Sequence, residues 1–308
     1  MIGAMPMLDR RQFLSSLAVA GATAAFPRLA SAFDTPLLTH KIPSSGEPLP
    51  LVGLGSWRTF NVGDDPEGRE TCTAVMRAFF AGGGRMIDSS PMYSSSQDTI
   101  GYGLKKLDAY GKVFSAEKVW TYSGGAAQVE ESRKKWGIAR FDLLQVHNLL
   151  SWQEHLPMLF DMKAQKRLRY VGITTSEGRR HGEFEQVMRK EPLDFIQVTY
   201  NALDREVEQR ILPLARERGM AVIINRPFQS GPLIRRAKRH KLPDWAKEID
   251  CANWAQILLK FIVSHPAVTC AIPATTRVDH VRENIGASYG RLPDEGMRER
   301  IAATVESF

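Results

Sequence analysis

Short continuous apolar runs and longer helix-period segments alternate along most of the chain. The runs are LVGLG (51–55), RMIDSS (85–90), KVFSAE (112–117), DLLQVH (142–147), YVGITT (170–175), FIQVTY (195–200), AVIINR (221–226) and TCAIPA (269–274). Each is followed by a candidate helix, which predicts βα units and a parallel sheet. Parallel strands are covered on both faces, so they read as unbroken apolar runs rather than alternating ones. Between them, Glu67–Ala81 carries Val75, Met76, Phe79 and Phe80 at helical spacing. Leu203, Val207, Ile211 and Leu214 likewise share one face of a predicted helix. Eight units over about 250 residues predict a closed (β/α)8 TIM barrel, an α/β fold. The stretch LLTHKIPSSGEPLP (37–50) reads as a hairpin able to plug the barrel floor. No linker interrupts the rest, so residues 33–308 are expected to form one barrel domain.

Residues 1–32 do not fit this pattern. Arg10 and Arg11 precede an apolar run from Phe13 to Phe26, then Pro27, Arg28 and an Ala30-Ser31-Ala32 cleavage pattern. The run is shorter than the ~20 residues of a spanning helix, so no stable membrane anchor is expected. The order Arg-Arg-Gln-Phe-Leu resembles a twin-arginine signal peptide. That resemblance implies periplasmic location, export machinery as a partner, and translocation of a folded protein with its cofactor already bound. A non-functional signal would leave the protein in the cytoplasm.

Composition changes little. Net charge is +7 with 34 acidic residues interspersed, which suits small anions and gives no single-sign stripe for nucleic acid. Cys72, Cys251 and Cys270 form neither a C-x-x-C pair nor a zinc set, and no metal site is expected.

In a TIM barrel the chemistry sits at the carboxyl ends of the strands. There the chain places Asp88, Ser89, Ser90 and Tyr93, then Lys118, then His147 and Asn148, then Gln197 and Tyr200. A lysine ammonium beside a tyrosine is expected to lower the phenol pKa, with Asp88 holding the lysine. Such a set delivers a proton to an oxygen that becomes an alkoxide, and it needs a bound hydride carrier. Each residue alone has a plainer explanation: Asp88 as a helix cap, His147 as a satisfied strand-end histidine, Trp57 as packing.

The motifs GLGSW (53–57), MIDSSPMY (86–93), KVFSAEKVW (112–120), DLLQVHN (142–148), IQVTYN (196–201) and IPATTRVDHVRENIG (272–286), in this order, resemble the aldo-keto reductases. The resemblance implies NADPH, with NADH possible, and reversible reduction of small-molecule aldehyde or ketone carbonyls. It assigns Tyr93 as general acid, tuned by Lys118 and Asp88, with His147 orienting the substrate. It places the cofactor against Gly55, Ser56 and Trp57, its nicotinamide amide at Thr174, Thr175 and Gln197, and its adenosine end at Thr275, Arg277, His280, Glu283 and Asn284. Ala274 stands where many members have a phosphate-binding lysine, which leaves Arg277 as the partner of a 2′-phosphate. Glu117 replaces a usual Ser or Thr beside Lys118; it either raises the lysine's proton affinity or points into the barrel wall. The basic run Arg235–Lys241 is either a solvated loop or a cover for the pyrophosphate. The alternative function is an NADPH-binding regulatory protein on the same fold, with little turnover.

Overall fold

The computed structural model describes residues 36–308. It opens with an antiparallel hairpin, β1 (Thr39–Lys41) and β2 (Pro48–Pro50). Eight βα units follow. They run β3 (Leu54–Gly55), α1 (Pro66–Ala81), β4 (Met86–Asp88), α2 (Ser96–Leu107), β5 (Phe114–Val119), α3 (Gly125–Trp136), β6 (Phe141–Val146) and α4 (Trp152–Ala164). They continue with β7 (Leu168–Thr174), α5 (His181–Lys190), β8 (Phe195–Thr199), α6 (Ile211–Glu217), β9 (Ala221–Asn225), a short α7 (Pro232–Ala237), α8 (Trp254–Val263), β10 (Cys270–Ala271) and α9 (Val278–Ile285). α10 (Glu295–Glu306) ends the chain.

Strands β3 to β10 pair in parallel and in sequence order. The ring closes where the segment around β3 meets β10. Val52 bridges Ala271, Gly55 bridges Ala274, and the Gly53 and Ala271 amides donate to Ala271 O and Leu51 O. The (β/α)8 barrel is therefore complete.

Two apolar clusters follow from the two faces of its wall. Outward side chains such as Ile87, Val119 and Ile173 pack under the helices. Inward ones (Met86, Phe114, Ala116, Leu143, Tyr170, Phe195, Ala221, Ile223, Cys270, Ile272) fill the interior together with Ile42 and Leu49 of the hairpin. The hairpin is the floor plug, as expected. The three cysteines are buried and unpaired, and burial pushes the Cys72 thiol up to about 11.

One predicted helix is broken. Of Leu203, Val207, Ile211 and Leu214, only the last two lie in α6; Val207 sits in a separate turn, Glu206–Glu208. Pro213 explains the break. It lacks an N–H and is best tolerated in the first turn of a helix, which is where α6, starting at Ile211, places it.

Among the described residues no helix is long and apolar enough to cross a membrane. Residues 1–32, on which the export expectation rests, lie outside the described residues.

Candidate active site

The mouth of the barrel is built by the period of two that governs strand side chains. On six of the eight strands the inward positions beyond the apolar interior become polar. Met86 leads to Asp88, Ala116 to Lys118, Leu143 to Gln145 and His147, Tyr170 to Thr174, Phe195 to Gln197 and Thr199, and Ile223 to Asn225. The register sets Asp88 beside Ala116, Lys118 beside Gln145, and Thr174 beside Gln197. A ring of polar groups therefore caps the apolar interior.

Its centre is a buried ion pair. Lys118 Nζ lies 2.5 Å from Asp88 Oδ1 and 2.7 Å from Ser89 O, and both side chains are buried. The other carboxylate oxygen, Asp88 Oδ2, accepts from Gln197 Nε2 at 2.9 Å and Gln145 Nε2 at 3.4 Å. Burial pulls the Lys118 ammonium down, but the Asp88 charge and hydrogen bond together with the Tyr93 and Glu117 charges outweigh it and the net shift is upward. Lys118 is thus held as a cation, a poor nucleophile and a strong local field.

Tyr93 follows β4 through the turn Pro91–Tyr93. The Lys118 Nζ stands 5.3 Å from its ring centroid, and the His147 ring meets it edge-on at 5.7 Å. Here the sequence expectation fails. The phenol pKa is raised to about 12, because burial and the Asp88 and Glu117 charges outweigh the Lys118 charge. In this state Tyr93 is a held proton, available only to an oxygen that gains negative charge. His147 is shifted well down by burial and then by Lys118, so its imidazole is neutral. Its Nδ1 sits 2.8 Å from Ser90 Oγ, which also accepts the Met92 amide at 3.2 Å.

The loop after His147 is conformationally costly. Asn148, Leu149 and Ser151 have φ of 53°, 56° and 48°, each in the left-handed region that non-glycine residues seldom enter. Two contacts hold it: Thr174 Oγ1 accepts the Asn148 amide at 3.0 Å, and Arg180 Nη1 donates to Asn148 O and Leu149 O. Strand spacing reveals neither contact. The Arg180 strap joins the loops after two neighbouring strands and has no local signature.

The remaining candidates fall in two groups. Ser56 Oγ donates to Asp88 O at 2.8 Å, and Trp57 lies under the Arg58 guanidinium at 4.3 Å. The Thr175 hydroxyl donates to Arg179 O, and Asn225 Nδ2 donates to Thr175 O at 2.9 Å. Gln197 commits its amide nitrogen to Asp88. These groups, with Gly55 and Thr174, line the mouth. The second group opens α9. Thr275 Oγ1 accepts the Arg277 amide at 3.1 Å and lies 3.4 Å from His280 Nδ1. Glu283 pairs with Lys238 at 3.5 Å, and Asn284 is buried. Arg277 is exposed and turned onto Asp279, with Nε 3.0 Å from the carboxylate. No side chain caps the N-terminus of α9. The bridge between Gly55 and Ala274 brings the two groups together at the barrel seam.

Of the basic run, Arg236 donates to Val305 O at 3.0 Å and His240 stacks on Phe308 at 4.1 Å. These contacts tie it to the C-terminal helix. Glu117 occupies the outward position next to Lys118. Its carboxylate is fully buried in the wall between β5 and the helices α2 and α3. It accepts from Gln97 Nε2 (3.0 Å), Trp136 Nε1 (2.8 Å) and the Lys118 amide (2.9 Å). Burial, opposed by Lys118 and these donors, raises its pKa to about 7.

A proton-holding tyrosine beside a lysine–carboxylate pair at the mouth of a (β/α)8 barrel is an arrangement chemically able to hold and deliver a proton. Comparison with known proteins supplies the family: the aldo/keto reductase profile matches residues 51–303, and the chain belongs to that family of oxidoreductases. It is 26% identical to methylglyoxal reductase YeaE of Escherichia coli, covering 77% of this chain and 84% of that one. It is 25% identical to the NADH-specific methylglyoxal reductase of the same organism, covering 83% and 95%. An aldo/keto reductase from Klebsiella pneumoniae, solved in complex with NADP and acetate, superposes with a TM-score of 0.71 at 21% identity, covering 88% of this chain and 95% of that one. The holo form of an aldo-keto reductase from Bacillus halodurans gives 0.72 at 18% identity, covering 88% and 96%.

Proposed function

We propose that this protein reduces the carbonyl group of small aldehydes or ketones with NADPH, Tyr93 acting as the general acid. The observation that carries the reading is the pairing of a phenol held protonated to about 12 with a buried ammonium 5.3 Å from its ring. Bound cofactor supplies a hydride to the carbonyl carbon. The protein's share is the proton. As the carbonyl oxygen gains charge, Tyr93 Oη donates to it, and the C=O becomes C–OH. The tyrosinate left behind faces Lys118, whose positive charge stabilises it until solvent returns the proton. Asp88, held by Gln197 and Gln145, keeps Lys118 charged and in place. His147 donates to the same carbonyl oxygen and sets its direction.

The residues present fit a dinucleotide. The N-cap residue of α9 makes no side-chain cap, so the Val278 and Asp279 amides would serve as donors to a phosphate, flanked by Arg277 and His280. Thr275, Glu283 and Asn284 would hold the adenosine end. Gly55, Ser56, Trp57, Thr174, Thr175 and Gln197 would hold the nicotinamide end. The complex of the Klebsiella pneumoniae neighbour with NADP supports this. With residues 1–32 read as a twin-arginine signal, we further propose that the barrel folds and binds cofactor in the cytoplasm and is exported to the periplasm.

Stopped-flow NADPH oxidation with a panel of aldehydes and ketones tests the activity. Multiple turnovers with at least one carbonyl are expected. Tight cofactor binding with no turnover on any would favour the regulatory alternative.

A further inference from the structure

We propose that Ser90 is a positioning residue that fixes the tautomer of His147, so that its Nε2–H points to the carbonyl oxygen. The inference rests on the reductase reading for its purpose, but not for its geometry.

The argument is a count of protons. Ser90 Oγ is buried and has two neighbours, the Met92 amide at 3.2 Å and His147 Nδ1 at 2.8 Å. The amide can only donate, so it occupies a lone pair of the hydroxyl oxygen. The hydroxyl proton then needs an acceptor, and among the described residues Nδ1 is the only one in reach. If Nδ1 carried a proton, Ser90 would accept twice and its own proton would be buried without a partner, which costs more than a hydrogen bond returns. Nδ1 is therefore the acceptor, and the imidazole proton sits on Nε2. Both the burial of His147 and the nearby Lys118 charge oppose a second proton. Nε2 has no hydrogen-bond partner among the described residues, while the ring meets Tyr93 edge-on.

The consequence is chemical. In this tautomer His147 and Tyr93 both present donors to one oxygen. In the other, the Nε2 lone pair would face the carbonyl lone pairs and repel them. The Met92 amide belongs to the turn that carries Tyr93, so one hydroxyl ties the acid's turn to the histidine ring.

The test is the ¹⁵N spectrum of ¹⁵N-histidine-labelled protein, with the His147 signals assigned by their loss in His147→Gln. Between pH 5 and 8 the parent is expected to show one neutral ring, protonated at Nε2 with Nδ1 in the acceptor range. A proton on Nδ1, or an imidazolium at pH 6, overturns the proposal. Ser90→Ala is expected to give mixed tautomers, a fall of roughly 3- to 10-fold in kcat/KM for the carbonyl, and an unchanged Kd for NADPH. Ser90→Thr, which restores a hydroxyl, should recover the parent spectrum. A Ser90→Ala protein with both spectrum and kcat/KM unchanged refutes the role. If the parent turns over no carbonyl at all, the reductase reading fails while the spectrum still decides the tautomer.

Discussion

Glu117→Gln should remove a loss of stability that the parent suffers as the pH rises, so the variant gains on the parent from acid to alkaline conditions. The Glu117 carboxyl is fully buried, and its pKa is raised from 4.5 to about 7. The folded state therefore holds this proton more tightly than the unfolded chain does. The resulting stability is fully present below pH 4.5 and is lost as the pH rises through 7. Two and a half pKa steps at about 1.4 kcal/mol each come to about 3.5 kcal/mol in full, of which about 3 falls between pH 4.5 and 8. Glutamine is isosteric and removes the charge; its one oxygen can accept from Gln97 and Trp136, as Oε2 does, or from the Lys118 amide, as Oε1 does, and its amide nitrogen then faces the remaining N–H, a cost that does not change with pH. Urea unfolding of parent and variant, measured from pH 4.5 to 8, reads the effect as a difference in which other titrating groups cancel. The variant should gain about 3 kcal/mol on the parent across that range, most of it between pH 5 and 7. A difference that stays flat would show that the three donors fully offset burial and that Glu117 is ionised throughout.

Tyr93→Phe keeps the ring and removes the proton, so kcat should fall by about 10²- to 10⁴-fold while NADPH binding, followed by fluorescence titration, is retained. Arg277→Ala should weaken NADPH by roughly 10- to 100-fold and barely touch NADH; equal losses would place the 2′-phosphate elsewhere. Gly101→Ala should lower the melting temperature sharply, since its Cβ would sit 1.9 Å from the Lys135 carbonyl oxygen. Backbone cannot yield as a side chain can, so a cost of about 1–3 kcal/mol or more is expected. Fractionation of cells carrying the parent or an Arg10→Lys, Arg11→Lys pair should find processed, cofactor-loaded parent in the periplasm and the variant in the cytosol; an unprocessed cytosolic parent would end the export proposal.

What could be read from the sequence was what local period and order encode. Eight apolar runs mark the eight strands because a wall covered on both faces needs them. The same period of two carries Asp88, Lys118 and His147 inward once the strand ends are known. It also turns Glu117 outward, which the substitution pattern alone left open. Contacts between loops were not legible. Thr174 and Arg180 brace the His147 loop, and Ser90 meets His147 across 57 positions; no spacing rule connects them. The direction of the Tyr93 shift was missed for a related reason. The charge beside it is visible in the motif, but the depth of its burial and the Glu117 charge behind the wall are properties of the assembled barrel.

The plug under the barrel has a consequence in time. Ile42 and Leu49 emerge early in synthesis, yet the partners that enclose them extend to Cys270 and Ile272. At about 5–20 residues per second the ribosome needs roughly 10 to 45 s to deliver the last of them. Until then the interior has no floor and the hairpin no socket. The first part of the barrel to be made is among the last to be seated, so this fold is completed only when almost the whole chain has left the ribosome.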